Sequence, residues 1–294
     1  VLHRAIATAH RAERHDLSSR ACSELAFVHI QTGDANQSHY WLAKADQQSE
    51  GDERLLAVAN GLRGLAYSDD AEYDLSLGAF DVSVDQARRA GKPRQAAWSL
   101  SMAARTHLLR GELATALDHV EESIDIAQSE RWAALLPWPQ SQRGEILRRQ
   151  GHVDQAAAQL EAAYALAQEV GDLCWSSVAS RSLAAVANDR NDRSAVDAWT
   201  DCSLEHTLPY VWVLAHALEG KCEVTRSTSE ETSRSTACEL VACAGENGLR
   251  EYSARGALRL ADLGDETAGQ AAQAFSRLIE NTTLQRAVDA GRPV

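Results

Sequence analysis

The stretch Gly151-His152-Val153-Asp154-Gln155-Ala156-Ala157-Ala158-Gln159-Leu160-Glu161-Ala162-Ala163-Tyr164 decides the fold. A glycine followed by a polar residue reads as the end of one helix and the cap of the next. The alanine-rich run behind it is strong helix-forming sequence with a wide apolar stripe. Forty residues earlier stands Gly111-Glu112, and forty later Asn191-Asp192; Gly33-Asp34 is a further mark of the same kind. Each mark is preceded, seven positions back, by a small residue: Ala26, Ala104, Gly144 and Ala184. Five positions after two of them stands another, Ala116 and Ala156.

Recurrence at a fixed period is the signature of a repeat architecture. The small residues let the two helices of one unit approach closely, and Leu25, Leu100, Leu117, Leu160 and Leu183 fill the space between layers. Turns at Gly51-Asp52, Gly91-Lys92-Pro93 and Gly171-Asp172 close the units. No stretch alternates with period two for long enough to form a strand. The alternative, an irregular helical bundle, does not explain the common spacing. The sequence therefore predicts an all-α chain of about seven antiparallel helix pairs, stacked as a right-handed superhelix. The whole of 1–294 reads as one repeat domain. Residues 1–16 complete a preceding helix, 17–206 hold five well-patterned pairs, 207–281 hold two divergent ones, and 282–294 form a tail. The polar run Arg226 to Ser235 reads as a long turn or a frayed helix start.

The composition agrees. Of 294 residues, 45% are apolar and only 5% aromatic, so alanine, leucine and valine must build the core. The net charge of −13 argues against a nucleic-acid-binding surface, which needs clustered lysine and arginine. No apolar run is long enough for a bilayer and no signal-peptide pattern opens the chain, so a cytoplasmic location is expected without membrane association. The start at Val1 and the single methionine, Met102, suggest a segment of a larger protein or a chain with its start removed. The six cysteines are irregularly spaced and the ten histidines form no ligand pair, so buried structural thiols are expected, with neither metal nor cofactor.

These residues are similar to the tetratricopeptide repeat, whose pattern puts small residues in the middle of the first helix and early in the second. The standard unit has about 34 residues, and this one is longer. The long variant resembles the C-terminal sensor region of bacterial LuxR-type, maltose-activator-type signal-transduction ATPases. Gly151 to Ala163, and Glu169-Val170-Gly171-Asp172 leading into a new helix, carry that likeness, which covers 17–206 well and 207–281 loosely. No phosphate-binding G-x-x-x-x-G-K-[ST] and no basic recognition helix is present. The resemblance thus implies a sensing segment alone, joined to other domains of the same polypeptide.

Repeat superhelices bind on the concave face, lined mainly by first helices. With the small residue as the eighth place of each first helix, the pattern puts Trp98, Ser101 and Arg105 in the groove from the third unit. The fourth contributes Trp138, Ser141, Glu145, Arg148 and Arg149, the fifth Arg181, Asn188 and Asp189, and the first Arg20, Phe27 and Gln31. Trp98 and Trp138 stand one repeat apart, near arginines able to grip a carboxylate or phosphate. The candidate ligand-binding set is Trp98, Arg105, Trp138, Glu145, Arg148, Arg149, Arg181 and Asn188. Trp132, Trp175, Trp199 and Trp212 read as packing between units. The expected occupant is a small-molecule effector, or a peptide or protein segment as in an interaction scaffold, and a second copy could join as a homo-oligomer. Nothing points to catalysis: no G-x-S-x-G and no G-x-G-x-x-G occurs, and Asp69-Asp70 and Glu121-Glu122 read as helix ends or solvent faces.

Overall fold

In the computed structural model, residues 1–205, 207, 210–226 and 229–291 are described. Helix α1 (Leu2–Arg11) leads into seven antiparallel pairs. They are α2 (His15–Gln31) with α3 (Ala35–Ser49), α4 (Glu53–Asp69) with α5 (Tyr73–Arg89), and α6 (Pro93–Arg110) with α7 (Leu113–Ser129). Then come α8 (Pro137–Arg149) with α9 (Val153–Val170), α10 (Leu173–Asp189) with α11 (Arg193–Glu205), α12 (Val211–Thr225) with α13 (Glu230–Glu246), and α14 (Arg250–Asp262) with α15 (Glu266–Ser276). No strand occurs among the described residues. The fold is an all-α repeat solenoid.

The punctuation works as its chemistry requires. Gly111, Gly151 and Asn191 all adopt left-handed backbone, with φ of 80°, 85° and 59°, which ends a helix sharply and favours glycine or asparagine. Asp34, Asp52, Asp172 and Asp265 cap the helices that follow, each carboxylate accepting a backbone N–H of the first turn. The small residues mark helix-to-helix contacts. Ala26, Ala104, Ala116 and Ala156 are fully buried. A Cβ placed on Gly144 would come 2.5 Å from Leu160 of the partner helix α9. Serines tie the pairs further: Ser83, Ser123 and Ser177 each donate to a carbonyl 26 residues away.

Each first helix packs on the next first helix, α2 on α4 and so on through α12 on α14. The first helices therefore line the inner, concave side, and the second helices lie outside. The C-terminal end comes back onto the helix turns of the second and third units. Residues 282–294, expected as a tail, contain helix α16 (Thr282–Asp289). Asn281, 1% exposed, caps α16 and donates to the carbonyl of Leu109 at 2.8 Å, while Thr283 donates to that of Arg110 at 3.2 Å. Tyr73 donates to Glu251, and the Glu280 N–H reaches the carbonyl of Ala71. The end of the polar run from Arg226 starts α13, with Ser229 as its cap; Ser227 and Thr228, like Arg292 and Pro293 of the tail, lie outside the described residues.

Candidate functional site in two halves of the concave face

Across α2, α4 and α6 the concave face is open. A cleft of about 620 Å³ starts at the N-terminal ends of these helices and continues into one of about 300 Å³, the two sharing Glu24, Val58, Arg94 and Gln95. Phe27, Leu55, Val58, Leu62, Trp98 and Trp132 supply its apolar surface. The rim charges are partly spent on each other: Arg54 grips Asp52, and Arg94 lies 3.8 Å from Glu130 and 5.7 Å from the centre of the Trp132 ring. Arg20, Glu24 and Lys92 line the same cleft without an ion pair among the described residues. Arg20 and Phe27 of α2 and Trp98 of α6 thus line one continuous cleft.

Across α8, α10 and α12 the same face is filled by the protein's own side chains. Trp138 is 2% exposed, stacked on Trp175 with ring centres 4.5 Å apart and edge-on to Trp212 at 6.1 Å. Trp212, from α12, also carries Arg105 over its ring at 4.5 Å and stacks on His216. Arg105 is not free for a ligand. It donates to Asp69 at 2.7 Å and to the Tyr210 hydroxyl at 2.9 Å. Asp69, expected at a helix end or solvent face, does end α4, yet it is buried under this arginine. Burial outweighs the arginine and the tyrosine and pushes its carboxyl up to about 6.

The other candidate arginines belong to a ladder of charges that is buried at Arg181 and exposed at Arg149. Glu145 accepts from Arg148 at 3.0 Å and from Arg149 at 2.7 Å, and lies 3.5 Å from Arg181. Arg181 also pairs with Glu219 at 2.7 Å and Glu223 at 3.0 Å, and Arg148 with Asp189 and Glu223. Arg255 extends the ladder to Glu251 and toward Glu219. Burial pulls the Glu145 and Glu219 carboxyls upward, but the surrounding guanidiniums prevail: Glu145 sits well below its usual range and Glu219 falls to about 2. His216 is held neutral, its pKa lowered to about 3 by burial and the Arg181 charge. Asn188 is half-buried beside this ladder on α10, with no polar side-chain contact among the described residues.

Inside the filled half remains a chamber of about 50 Å³. Arg105, Trp138, Ser141, Glu145 and Arg149 line it together with Gln142, Trp212 and His216. The repeat register therefore gathers four of the eight candidates, Arg105, Trp138, Glu145 and Arg149, around one pocket far smaller than the cleft over α2, α4 and α6. Trp98 stands apart, in the open cleft. Trp175 and Trp212 pack between units as expected; Trp138 packs with them. Sequence reasoning missed Gln142, Trp212 and His216 as chamber walls, and Tyr210 as a partner of Arg105. It also missed the acids that neutralise the arginines, although a signal was present. Arg105 follows Asp69 by 36 residues, and Arg181 precedes Glu219 by 38, so opposite charges recur about one unit apart.

The cysteines are free; Cys22 and Cys222 are buried, but Cys238 is exposed, so burial is not general. No helix among the described residues is long and apolar enough to cross a membrane.

Among known proteins, the chain matches no family model and no curated protein. Its fold is similar to that of a Rap protein solved in complex with Competence and Sporulation Factor. That match has a TM-score of 0.65 and 12% identity, over 94% of this chain and 77% of the other. A circular tandem repeat protein with a novel repeat topology also matches, at 15% identity over 99% of this chain and 89% of its own, but its TM-score of 0.26 is too low to carry inference. The class defined by fold and site is a tetratricopeptide-like helical-repeat solenoid. At 12% identity the likeness extends to the fold and no further.

Proposed function

We propose that this chain is a binding domain that takes a peptide segment of a protein partner in the open cleft over α2, α4 and α6. One observation carries the reading: an apolar floor, with Trp98 at its inner end, faces solvent beneath the unpaired Arg20, Glu24 and Lys92. A segment laying apolar side chains on that floor, with carboxylates toward Arg20 and Lys92, uses both features. The Rap protein, solved with Competence and Sporulation Factor bound, lends support by its similar fold. In the finer reading, supported by the sequence resemblance to LuxR-type regulators, the domain is the effector-sensing part of a bacterial transcription regulator. Binding then acts by favouring one curvature or oligomeric state over another. The alternative is a protein–protein scaffold without a sensing role.

Selection of a displayed random peptide library against the domain tests the first statement. The selected peptides should share apolar and acidic positions, and Trp98→Ala should weaken them by about tenfold or more without loss of helical signal. Selected peptides that bind the Trp98→Ala protein as well as the wild type would remove the cleft as the seat. Calorimetry with a metabolite panel then separates sensor from scaffold.

A further inference from the structure

The floor of the open cleft has a direction. Leu55, Val58 and Leu62 follow one another at three and four residues, which makes a single stripe along α4, about 10 Å or two helical turns long. Phe27 of α2 flanks the stripe on one side and Trp98 of α6 on the other, because α2 and α6 both pack on α4. Leu62 is buried and the other four are half-buried.

This floor has little to offer a bare backbone. Apart from the indoles, Gln95 is the one uncharged polar side chain among the described residues lining the inner part of the cleft. Its amide nitrogen is already engaged, donating to the Ser99 hydroxyl at 3.2 Å and to the Ala57 carbonyl at 3.5 Å. Arg94 is turned toward Glu130 and the Trp132 ring. An extended segment would lay its own N–H and C=O groups on the floor without partners, and each one buried so would weaken binding by about tenfold. A helix satisfies its backbone internally and presents side chains alone.

We infer that the occupant of the cleft is an amphipathic α-helix of the partner, laid along α4; this rests on the cleft being the peptide seat. Apolar residues of that helix at i, i+3 or i+4, and i+7 meet Leu55, Val58 and Leu62. The flank of the helix is specified too. Arg20 and Glu24 stand four residues apart on α2, about 6 Å along its axis, and both are exposed and line the cleft. A helix beside them answers with a carboxylate and a cationic side chain four residues apart. An extended segment would need these two charges only two residues apart, since each of its residues advances about 3.3 Å. Helix and strand therefore call for different partner sequences.

Peptides of about 15 residues, long enough for a marginal helix, selected from a displayed random library on the full chain, are the probe. Those that lose binding to Trp98→Ala, and so sit in the cleft, should carry the apolar helical spacing with an acid and a base four apart. Their synthetic copies should gain helical circular dichroism on binding. Proline at a central, solvent-facing place should weaken them by about a hundredfold, and a lactam bridge between two such places four apart should tighten them several-fold. In the doubly substituted protein Arg20→Glu, Glu24→Arg, selection should return peptides with the acid and base in reversed order. Cleft-seated peptides that tolerate the proline, or that space their charges by two without helical gain, would overturn the helix and leave the cleft reading standing. Peptides that bind Trp98→Ala as well as the wild type, or failure to select any, would remove the seat and the helix together.

Discussion

The two halves of the concave face are built from one repeat template and end as opposite things. Over α2, α4 and α6, the groove places hold Arg20, Phe27, Val58, Leu62 and Trp98, and the space above them is solvent. Over α8, α10 and α12, equivalent places hold Trp138, Glu145, Arg148 and Arg181, and the space is occupied by rings and ion pairs from the same chain. The difference lies less in each unit than in what faces it. Side chains of α12 reach the inner row of the middle units, α14 backs them through Arg255 and Glu219, and Asn281 and α16 fasten the C-terminal end to the end of α6. A repeat protein can thus turn its binding face into core wherever its superhelix meets itself.

Breaking the ladder should have the largest effect. Arg181→Ala leaves Glu219 and Glu223 without their shared guanidinium in a buried setting, and should cost about 3–5 kcal/mol in chemical denaturation. A loss below about 1 kcal/mol would mean that the filled half is no tighter than the open one. The ladder also fixes a pH dependence. Glu219 has its pKa lowered from 4.5 to about 2, so its contribution is complete above the unfolded value and disappears as the pH falls through the folded one. The Tm difference between wild type and Glu219→Gln should therefore be largest near neutrality and shrink between pH 4.5 and 2, corresponding to on the order of 2–3 kcal/mol. A difference constant from pH 6 to 3 would contradict that assignment.

Gly144→Ala probes the repeat itself. Its new Cβ would lie 2.5 Å from Leu160, so we expect a loss of about 1–3 kcal/mol, whereas Gly78→Ala, with open space around it, should gain about 0.5–1 kcal/mol. Asn281→Ala removes a cap and a bond to Leu109, and should cost about 1–2 kcal/mol. Amide exchange should then quicken first in α16, and uniform protection would show the closure to be independent of Asn281. Trp98→Ala should cost the least, under about 1 kcal/mol, while losing the selected peptides. A large loss of stability would make Trp98 part of the core and shift the comparison against an open half.

Much of the fold was legible because its signals are local. Gly111, Gly151 and Asn191 demand left-handed backbone at fixed spacing, and Ala104 or Gly144 demands a close neighbour wherever the units are placed. The candidate side chains were legible as a set, since the same register that buries Ala104 turns Arg105 inward. Their partners were not. Asp69 looked like an exposed helix end, and only the arrival of Arg105 and Tyr210 from other units buries it. The segment after Asn281 looked like a tail because eight residues of helix carry too weak a pattern to announce where they dock.

By itself, the sequence determined the paired helices, their unit length and the face each side chain occupies, because capping, helical period and small-residue contacts act within one unit or between neighbours. Only the tertiary structure decided which stretch of that face stays open and which becomes interior. That depends on the curvature accumulated over seven units and on contacts such as Asn281 with Leu109, 172 residues apart, which no local pattern encodes.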